Sequence, residues 1–241
     1  MNCCRHLLVF VVFSGSVVFN GWEIPVLQSA EPEVVFAETR TYDIFVDSKK
    51  SGQSKLTIAR YSDGSETVSA DAKVTVRWTV FSYVYEFHGK EQWRDGRFEQ
   101  LESRAVDGGR QLSLSVNRTE GGFSIATAKG SPTVAGNVQL TTNYWREPAG
   151  DADTRTITVL DADNGQLYDE TIERLGQQEL TIGGQRIAAN AYRLKGSLDV
   201  ELWFDAQGYL VRQVGKEDGH PTELRLAAIQ QQASKSRGKK R

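Results

Sequence analysis

The densest group of titratable side chains lies in the segment Glu86-Phe-His88-Gly-Lys-Glu91-Gln-Trp-Arg-Asp. Glu86 and His88 are two residues apart, so on a strand they share one face, where a carboxylate can orient an imidazole for proton transfer. Glu91 is a third candidate acid–base group. The same spacing is also typical of an ion pair at the rim of a sheet beside a hairpin turn. The segment therefore leaves two interpretations open, a catalytic group and a structural ion pair.

Other kinds of chemistry are excluded by composition and by missing motifs. Cys3 and Cys4 are the only cysteines, so the rest of the chain has no disulfide framework, no cysteine-ligated zinc and no cysteine nucleophile. Motifs for serine hydrolases, zinc proteases, phosphate-binding loops and dinucleotide sites are absent. The segment Asp161-Ala-Asp163-Asn-Gly165 resembles the opening of a calcium loop but has its glycine one position early and lacks the closing glutamate. We predict a hairpin turn there, and we predict no metal and no cofactor.

An aromatic run in residues 67–87 is the main candidate for a binding surface. Its even positions are apolar almost throughout, whereas its odd positions are polar at first and aromatic from Phe81 onward. Strands are roughly 3–10 residues long, so we predict a break between Arg77 and Phe81. Beyond the break both faces are apolar and must be covered, either by core packing under residues 130–150 or by a ligand in a pocket. The candidate lining residues are Trp78, Phe81, Tyr83, Tyr85 and Trp93.

The elements that position these residues are predicted to be strands almost throughout. From residue 42 to residue 229 apolar and polar residues alternate, and Asp-Gly or Asn-Gly dipeptides separate the runs. We predict an all-β fold with a single large curled antiparallel sheet, a half-barrel or open barrel, of roughly 10–12 strands, because a sheet of that size must curl or close. Residues 130–153, rich in proline and glycine, are predicted to form a long loop or a short helix-bearing connection.

The two ends of the chain of 241 residues differ from its body. Arg5 followed by apolar residues at 7–13 and 17–19 is typical of a secretory signal peptide. We predict cleavage near residue 30, possible as late as 37, with a retained membrane anchor as the alternative. Residues 41–229 are predicted to form one β domain. We expect the protein to be exported, in the periplasm or outside the cell of a bacterium.

The charge is distributed unevenly along the chain. Residues 230–241 contain five basic and no acidic residues, so we predict a disordered basic tail that is able to contact an anionic surface. Without this tail and residues 1–30, the net charge falls from −2 to −7. An acidic body argues against nucleic acid as a partner. The sequence contains no indication of an oligomeric state.

Three segments together resemble a known family, namely residues 42–52, 85–97 and 202–212. They are similar to a bacterial exported family defined as domain of unknown function 6134. The resemblance spans about residues 42–229 and implies no activity and no catalytic residues. More remotely, the strand order resembles the half-barrel of bacterial lipoprotein-carrier proteins, which implies a curved sheet around an apolar cavity.

Three functions are compatible with these observations. The first is a non-enzymatic exported binding module that holds a lipid or other apolar ligand in the curled sheet. The second is an enzyme on the same scaffold that uses Glu86 and His88, with Glu91, for acid–base chemistry. The third is a structural envelope protein without a ligand, for which a filled core is expected.

Overall fold

The described residues form a single sheet of fifteen strands. The computed structural model describes residues 31–77 and 82–232 and has no helix among them. Nothing in the described part of the chain is therefore a helix long and apolar enough to cross a membrane. The strands are β1 Val34–Val46, β2 Lys49–Tyr61, β3 Ser65–Arg77, β4 Ser82–Arg94, β5 Arg97–Asp107, β6 Arg110–Thr119, β7 Gly122–Thr127, β8 Thr133–Ala135, β9 Leu140–Thr141, β10 Thr154–Leu160, β11 Leu167–Ile182, β12 Gln185–Lys195, β13 Val200–Phe204, β14 Leu210–Glu217 and β15 His220–Gln232.

The strand order places the first and last strands side by side in the middle of the sheet. It runs β8-β7-β6-β5-β4-β3-β2-β1-β15-β14-β13-β12-β11-β10-β9, and every pair is antiparallel except β9 with β10. The outermost strands, β8 and β9, are short and consecutive in the chain. Short edge strands limit unwanted pairing with other chains.

The sheet curls until its two halves meet across the interior. Ser103 on β5 donates a hydrogen bond to the Ala162 carbonyl in the β10–β11 turn, with 2.5 Å between the oxygens. The hydroxyl of Tyr85 on β4 reaches Asp163 in the same turn. Register shifts in five of the strand pairings introduce bulges, and bulges increase the bend and twist of a sheet.

One face of each strand forms the core. On β4 the odd-numbered Phe87, Glu91 and Trp93 are buried, whereas the even-numbered His88 and Lys90 are exposed. The connection between β8 and β10 crosses this inner face. We call residues 138–148 of this connection the plug segment, and its most buried members are Val138, Leu140, Thr141, Tyr144 and Trp145.

The all-β class and the single curled sheet are confirmed, while the strand count is fifteen rather than 10–12. Residues 97–107 form β5, within the region that was predicted to consist of strands. The connection at 130–153 has no helix but contains β8 and β9, which are too short to show a period. The strands also extend past the predicted domain limits of 41 and 229, since β1 begins at Val34 and residues 230–232 belong to β15 rather than to a tail.

The predicted break in the 67–87 run is confirmed. β3 ends at Arg77 and β4 begins at Ser82, and the two strands pair in antiparallel fashion with these residues opposite each other. The candidate lining residues Trp78 and Phe81 lie outside the described residues. So do the predicted signal peptide at 1–30 and residues 233–241 of the predicted tail.

Candidate functional site

Glu91 anchors the plug segment to the sheet. It is fully buried on the inner face of β4. Its carboxylate accepts hydrogen bonds from Trp93 Nε1 at 2.8 Å, Thr141 Oγ1 at 2.7 Å, Asn143 Nδ2 at 2.6 Å and Trp145 Nε1 at 3.1 Å. Burial raises the pKa of Glu91, while these four donors act to lower it. The group is a satisfied structural carboxylate, and three of its four donors come from the plug segment.

Aromatic rings complete the packing around Glu91. The Trp93 ring, 1% exposed, makes edge contacts with Phe98 and Trp145 at centroid distances of 5.3 and 5.9 Å. The Arg146 guanidinium lies 5.0 Å from the Trp145 ring centre and pairs with Glu66 at 3.1 Å. We call this region, comprising Glu91, Trp93, Phe98, Trp145 and Arg146, the closed end.

The plug segment is also fastened to the second half of the sheet. Glu147 accepts hydrogen bonds from the Tyr192 hydroxyl and the Asn190 amide at 2.5 and 3.1 Å, and its backbone N–H donates to the Gly208 carbonyl. Tyr144 has a φ of 44°, which is strained for a bulky residue. The plug segment is therefore held by both halves of the sheet, and its backbone is strained at Tyr144.

Carboxylates from three different turns lie close enough to influence one another at the opposite end of the sheet, since Asp161, Asp107 and Glu217 all act on Asp163. Asp107 lies at the β5–β6 turn, Asp161 and Asp163 lie in the β10–β11 turn, and Glu217 ends β14. Glu170, fully buried on β11, is the fifth member of this group. We call these five residues the acidic end.

Tyrosines of β4 face the acidic end. The Tyr83 hydroxyl donates to Asp107 Oδ1 at 2.8 Å, and the Tyr85 hydroxyl contacts both oxygens of Asp163 at 2.9 Å. Burial, and next the charge of Asp161, raise the pKa of Asp163 to about 6. Burial and the nearby Asp163 also raise the pKa of Tyr85. Two hydrogen bonds between tyrosines and carboxylates connect β4 to this end, and the ion pair between Asp107 and Arg110 lies within the β5–β6 turn.

The β10–β11 turn is a hairpin turn, as predicted. Leu160 pairs with Leu167, and the Asp161 carboxylate accepts hydrogen bonds from the backbone N–H groups of Asp163 and Asn164. Within the described ranges, no group of three or more His, Cys, Asp or Glu side chains is arranged to hold a metal ion.

The three acid–base candidates lie on opposite faces of β4, so they do not form one site. Glu86 and His88 are on the outer face, whereas Glu91 is inside. Glu86 pairs with Lys73 at 2.5 Å, and His88 Nδ1 lies 2.6 Å from Asp71 Oδ1. The carboxylate that orients His88 is therefore Asp71 on the neighbouring strand rather than Glu86. Asp71 and His88 border an open groove of about 840 Å³ that crosses β3 to β7 on the outer face, and Glu86 does not line this groove.

A family model described as "Domain of unknown function (DUF6134)" matches residues 42–227. The chain belongs to this family. No curated protein matches the chain. The chain is similar in structure to a "Beta-barrel-like Protein of Domain of Unknown Function DUF1849 from Brucella abortus", with a TM-score of 0.60, 10% identity, and coverage of 84% of this chain and 100% of that one. At that identity the likeness concerns the fold alone.

The fold brings some of the predicted lining residues together and separates others. Tyr83 and Tyr85 lie near each other at the acidic end, half-buried on the inner face. Trp93 is completely covered at the closed end. The sequence interpretation missed Tyr144, Trp145 and Glu170. The Tyr-Trp pair at 144–145, inside a connection rich in proline and glycine, was the available signal, because two large aromatics in a loop need a surface to cover them.

Proposed function

We propose that this protein is an exported, non-enzymatic binding module that holds an apolar or lipid ligand on the inner face of its curled sheet, at the acidic end. The observation that carries the proposal is uneven burial along one inner face. At the closed end, Trp93, Phe98 and Trp145 are buried to 2% exposure or less. Towards the acidic end, apolar and aromatic residues of the same face remain half-buried, namely Val46, Val76, Tyr83, Tyr85, Leu112, Tyr168 and Leu224.

Half-buried aromatic and aliphatic side chains beside a few polar groups are the usual composition of a ligand site. Tyrosine suits such a position because its ring offers apolar contact area while its hydroxyl keeps a hydrogen bond. Tyr83 and Tyr85 meet this description, since both hydroxyls donate to carboxylates. The interior therefore has a packed end that supports the fold and a less covered end that is suited to a ligand.

Native mass spectrometry of the exported protein with palmitate and with phosphatidylethanolamine tests the proposal. We expect one ligand to bind per chain. Leu112→Gln, on the inner face, should weaken binding about tenfold, as expected when a polar group replaces an apolar contact of about 1.4 kcal/mol. Ser113→Gln introduces the same residue on the outer face of the same strand and should leave binding unchanged. If neither probe binds, the proposal is refuted and a ligand-free structural role is favoured.

A second candidate function is acid–base catalysis in the outer groove, because Asp71 orients His88 there at 2.6 Å. A panel of ester and glycoside substrates would reveal such an activity. We expect His88→Ala and Asp71→Asn to abolish it, with Glu86→Gln as the control on the same strand face. Unchanged activity in His88→Ala would exclude this function.

The position of β1 limits where the proposed signal peptide can be cleaved. Ala37 lies inside β1, opposite Gln232 on one side and Ala59 on the other. Cleavage after residue 37 would remove the paired start of this strand, so we propose cleavage near residue 30. N-terminal sequencing of the exported protein tests this, and a start at residue 38 would contradict it.

Sedimentation with anionic vesicles, with and without residues 233–241, tests the proposed contact of the basic tail.

A further inference from the structure

The acidic end has carboxylates that lack opposite charges. Among the ion pairs of residues 31–77 and 82–232, Asp107 pairs with Arg110 at 2.5 Å, but Asp161, Asp163, Glu170 and Glu217 have no cationic partner. The strongest electrostatic influences on Asp163 come from other acidic groups, among them Asp161, Asp107 and Glu217. Carboxylates that repel one another destabilise a fold unless a positive charge joins them.

One buried polar atom near these carboxylates, Oε2 of Glu170, is also unsatisfied within the described part of the chain. The Tyr144 side chain beside this group is 4% exposed. Glu170 Oε1 accepts a hydrogen bond from the Ser197 N–H at 2.8 Å, whereas Oε2 is buried without a partner among the described residues. Buried polar groups are usually hydrogen-bonded, so each exception calls for an explanation.

Tyr144 points from the plug segment towards the acidic end. Glu170, Asp161 and Glu217 are the charged groups that act most strongly on its hydroxyl, and together with burial they raise its pKa. The same residue has the strained backbone described above. A strained backbone at Tyr144 and an oxygen of Glu170 that is buried without a partner in the described ranges, both beside unpaired carboxylates, are the kind of features that cluster at binding sites.

We propose that the acidic end binds the positively charged headgroup, a primary ammonium, of the ligand whose apolar part lies along the inner face. This inference rests on the proposed function and specifies its ligand class as cationic amphiphiles. An ammonium group carries three donors and a full charge, which suits unpaired carboxylates and a tyrosine hydroxyl. A bare metal ion is less suitable, because the described side chains do not converge as a metal ligand set.

The test compares dodecylamine, dodecanol and dodecanoate, which share one alkyl chain, in calorimetric titrations below their critical micelle concentrations at neutral pH. We expect the amine to bind at least about tenfold more tightly than the alcohol, the equivalent of one favourable charge interaction. The carboxylate should bind most weakly. Equal affinities for the amine and the alcohol would overturn this inference and leave the proposed function standing. If none of the three binds, the proposed function itself is overturned.

Two variants locate the preference for the amine. Asp163→Asn keeps an oxygen for the Tyr85 hydroxyl but removes the charge, and Glu217→Gln changes an exposed position that should tolerate it. Both should reduce the ratio of amine to alcohol affinity towards unity. Glu86→Gln, an outer-face carboxylate on β4, is the matched control and should keep the full ratio. A ratio unchanged in both acidic-end variants would overturn the inference, and thermal unfolding curves verify that each variant is folded.

Discussion

The closed end and the acidic end use carboxylates in opposite ways. Glu91 receives four hydrogen bonds and anchors the plug segment. Asp163 receives one tyrosine hydroxyl and lies among other carboxylates, and its pKa rises to about 6. Burial raises the pKa of both carboxylates, but four hydrogen-bond donors oppose this effect at Glu91, whereas neighbouring carboxylates add to it at Asp163. A single sheet thus contains one region where a buried carboxylate is fully satisfied and another where carboxylates repel one another, and the second pattern is the one expected of a functional site.

The largest expected effect is that of Glu91→Ala. The change leaves four donors without an acceptor, three of them buried and one, Asn143, half-buried, so we expect a loss of about 3–5 kcal/mol in the free energy of unfolding. Urea denaturation measures it. Glu86→Ala on the outer face of the same strand should have little effect. A small effect of Glu91→Ala would mean that the plug segment does not depend on this anchor.

Trp145→Ala should have the next largest effect. It removes the ring that packs on Trp93 and Tyr209 and that lies under Arg146. Replacing a buried tryptophan by alanine costs about 3–5 kcal/mol, and we expect a value near the lower limit because the plug segment can partly collapse into the space. Denaturant midpoints would show it. Stability equal to that of the wild type would indicate that the closed end is not packed as described.

Asp163→Asn should stabilise the protein at pH 8. The folded pKa of about 6 lies above an unfolded value of about 4. Folding therefore favours the protonated form of Asp163. The stabilisation of the fold by this group is fully present below about pH 4 and is lost as the pH rises through about 6. We expect a gain of about 2 kcal/mol at pH 8 and none at pH 4. Destabilisation at pH 8 would show that the Asp163 charge is compensated.

Tyr83→Phe should have the smallest effect. It removes one half-buried hydrogen bond, to Asp107, so we expect a loss of about 0.5–1 kcal/mol. Differential scanning calorimetry is suitable, because the shift in melting temperature should be only a few degrees. A loss as large as that for Glu91→Ala would show that the acidic end is as important to stability as the closed end.

Much of the fold could be predicted from the sequence, because each strand buries one face and alternation reveals it. The inward orientation of Glu91 could also have been predicted, because Glu91 is odd-numbered, like the apolar residues Phe87 and Trp93 of the same strand. The partners of Glu91 could not, because its donors Thr141 and Trp145 are 50 and 54 residues away. Alternation within a strand carries no information on which loop crosses the inner face.

The acidic end could not be predicted from the sequence for a related reason. Asp107, Asp161 and Asp163 each read as turn residues, and each does lie in or beside a turn. What gathers them is the curl of the sheet, which depends on the bulges and on the pairing of β1 with β15. The orientation of His88 was missed in the same way, because its partner Asp71 is 17 residues away and the register of β3 on β4 places them opposite each other.

Thiol labelling tests the central claim most directly, namely that the inner face is reachable at the acidic end and sealed at the closed end. With Cys3 and Cys4 replaced by serine, the chain has no other thiol, so single cysteines report cleanly. L112C and V116C lie on the same face of β6, half-buried and fully buried respectively. We predict at least ~100-fold faster labelling of L112C, because V116C must wait for local unfolding, and we predict that dodecylamine slows only L112C. Equal labelling rates at the two positions would contradict the account.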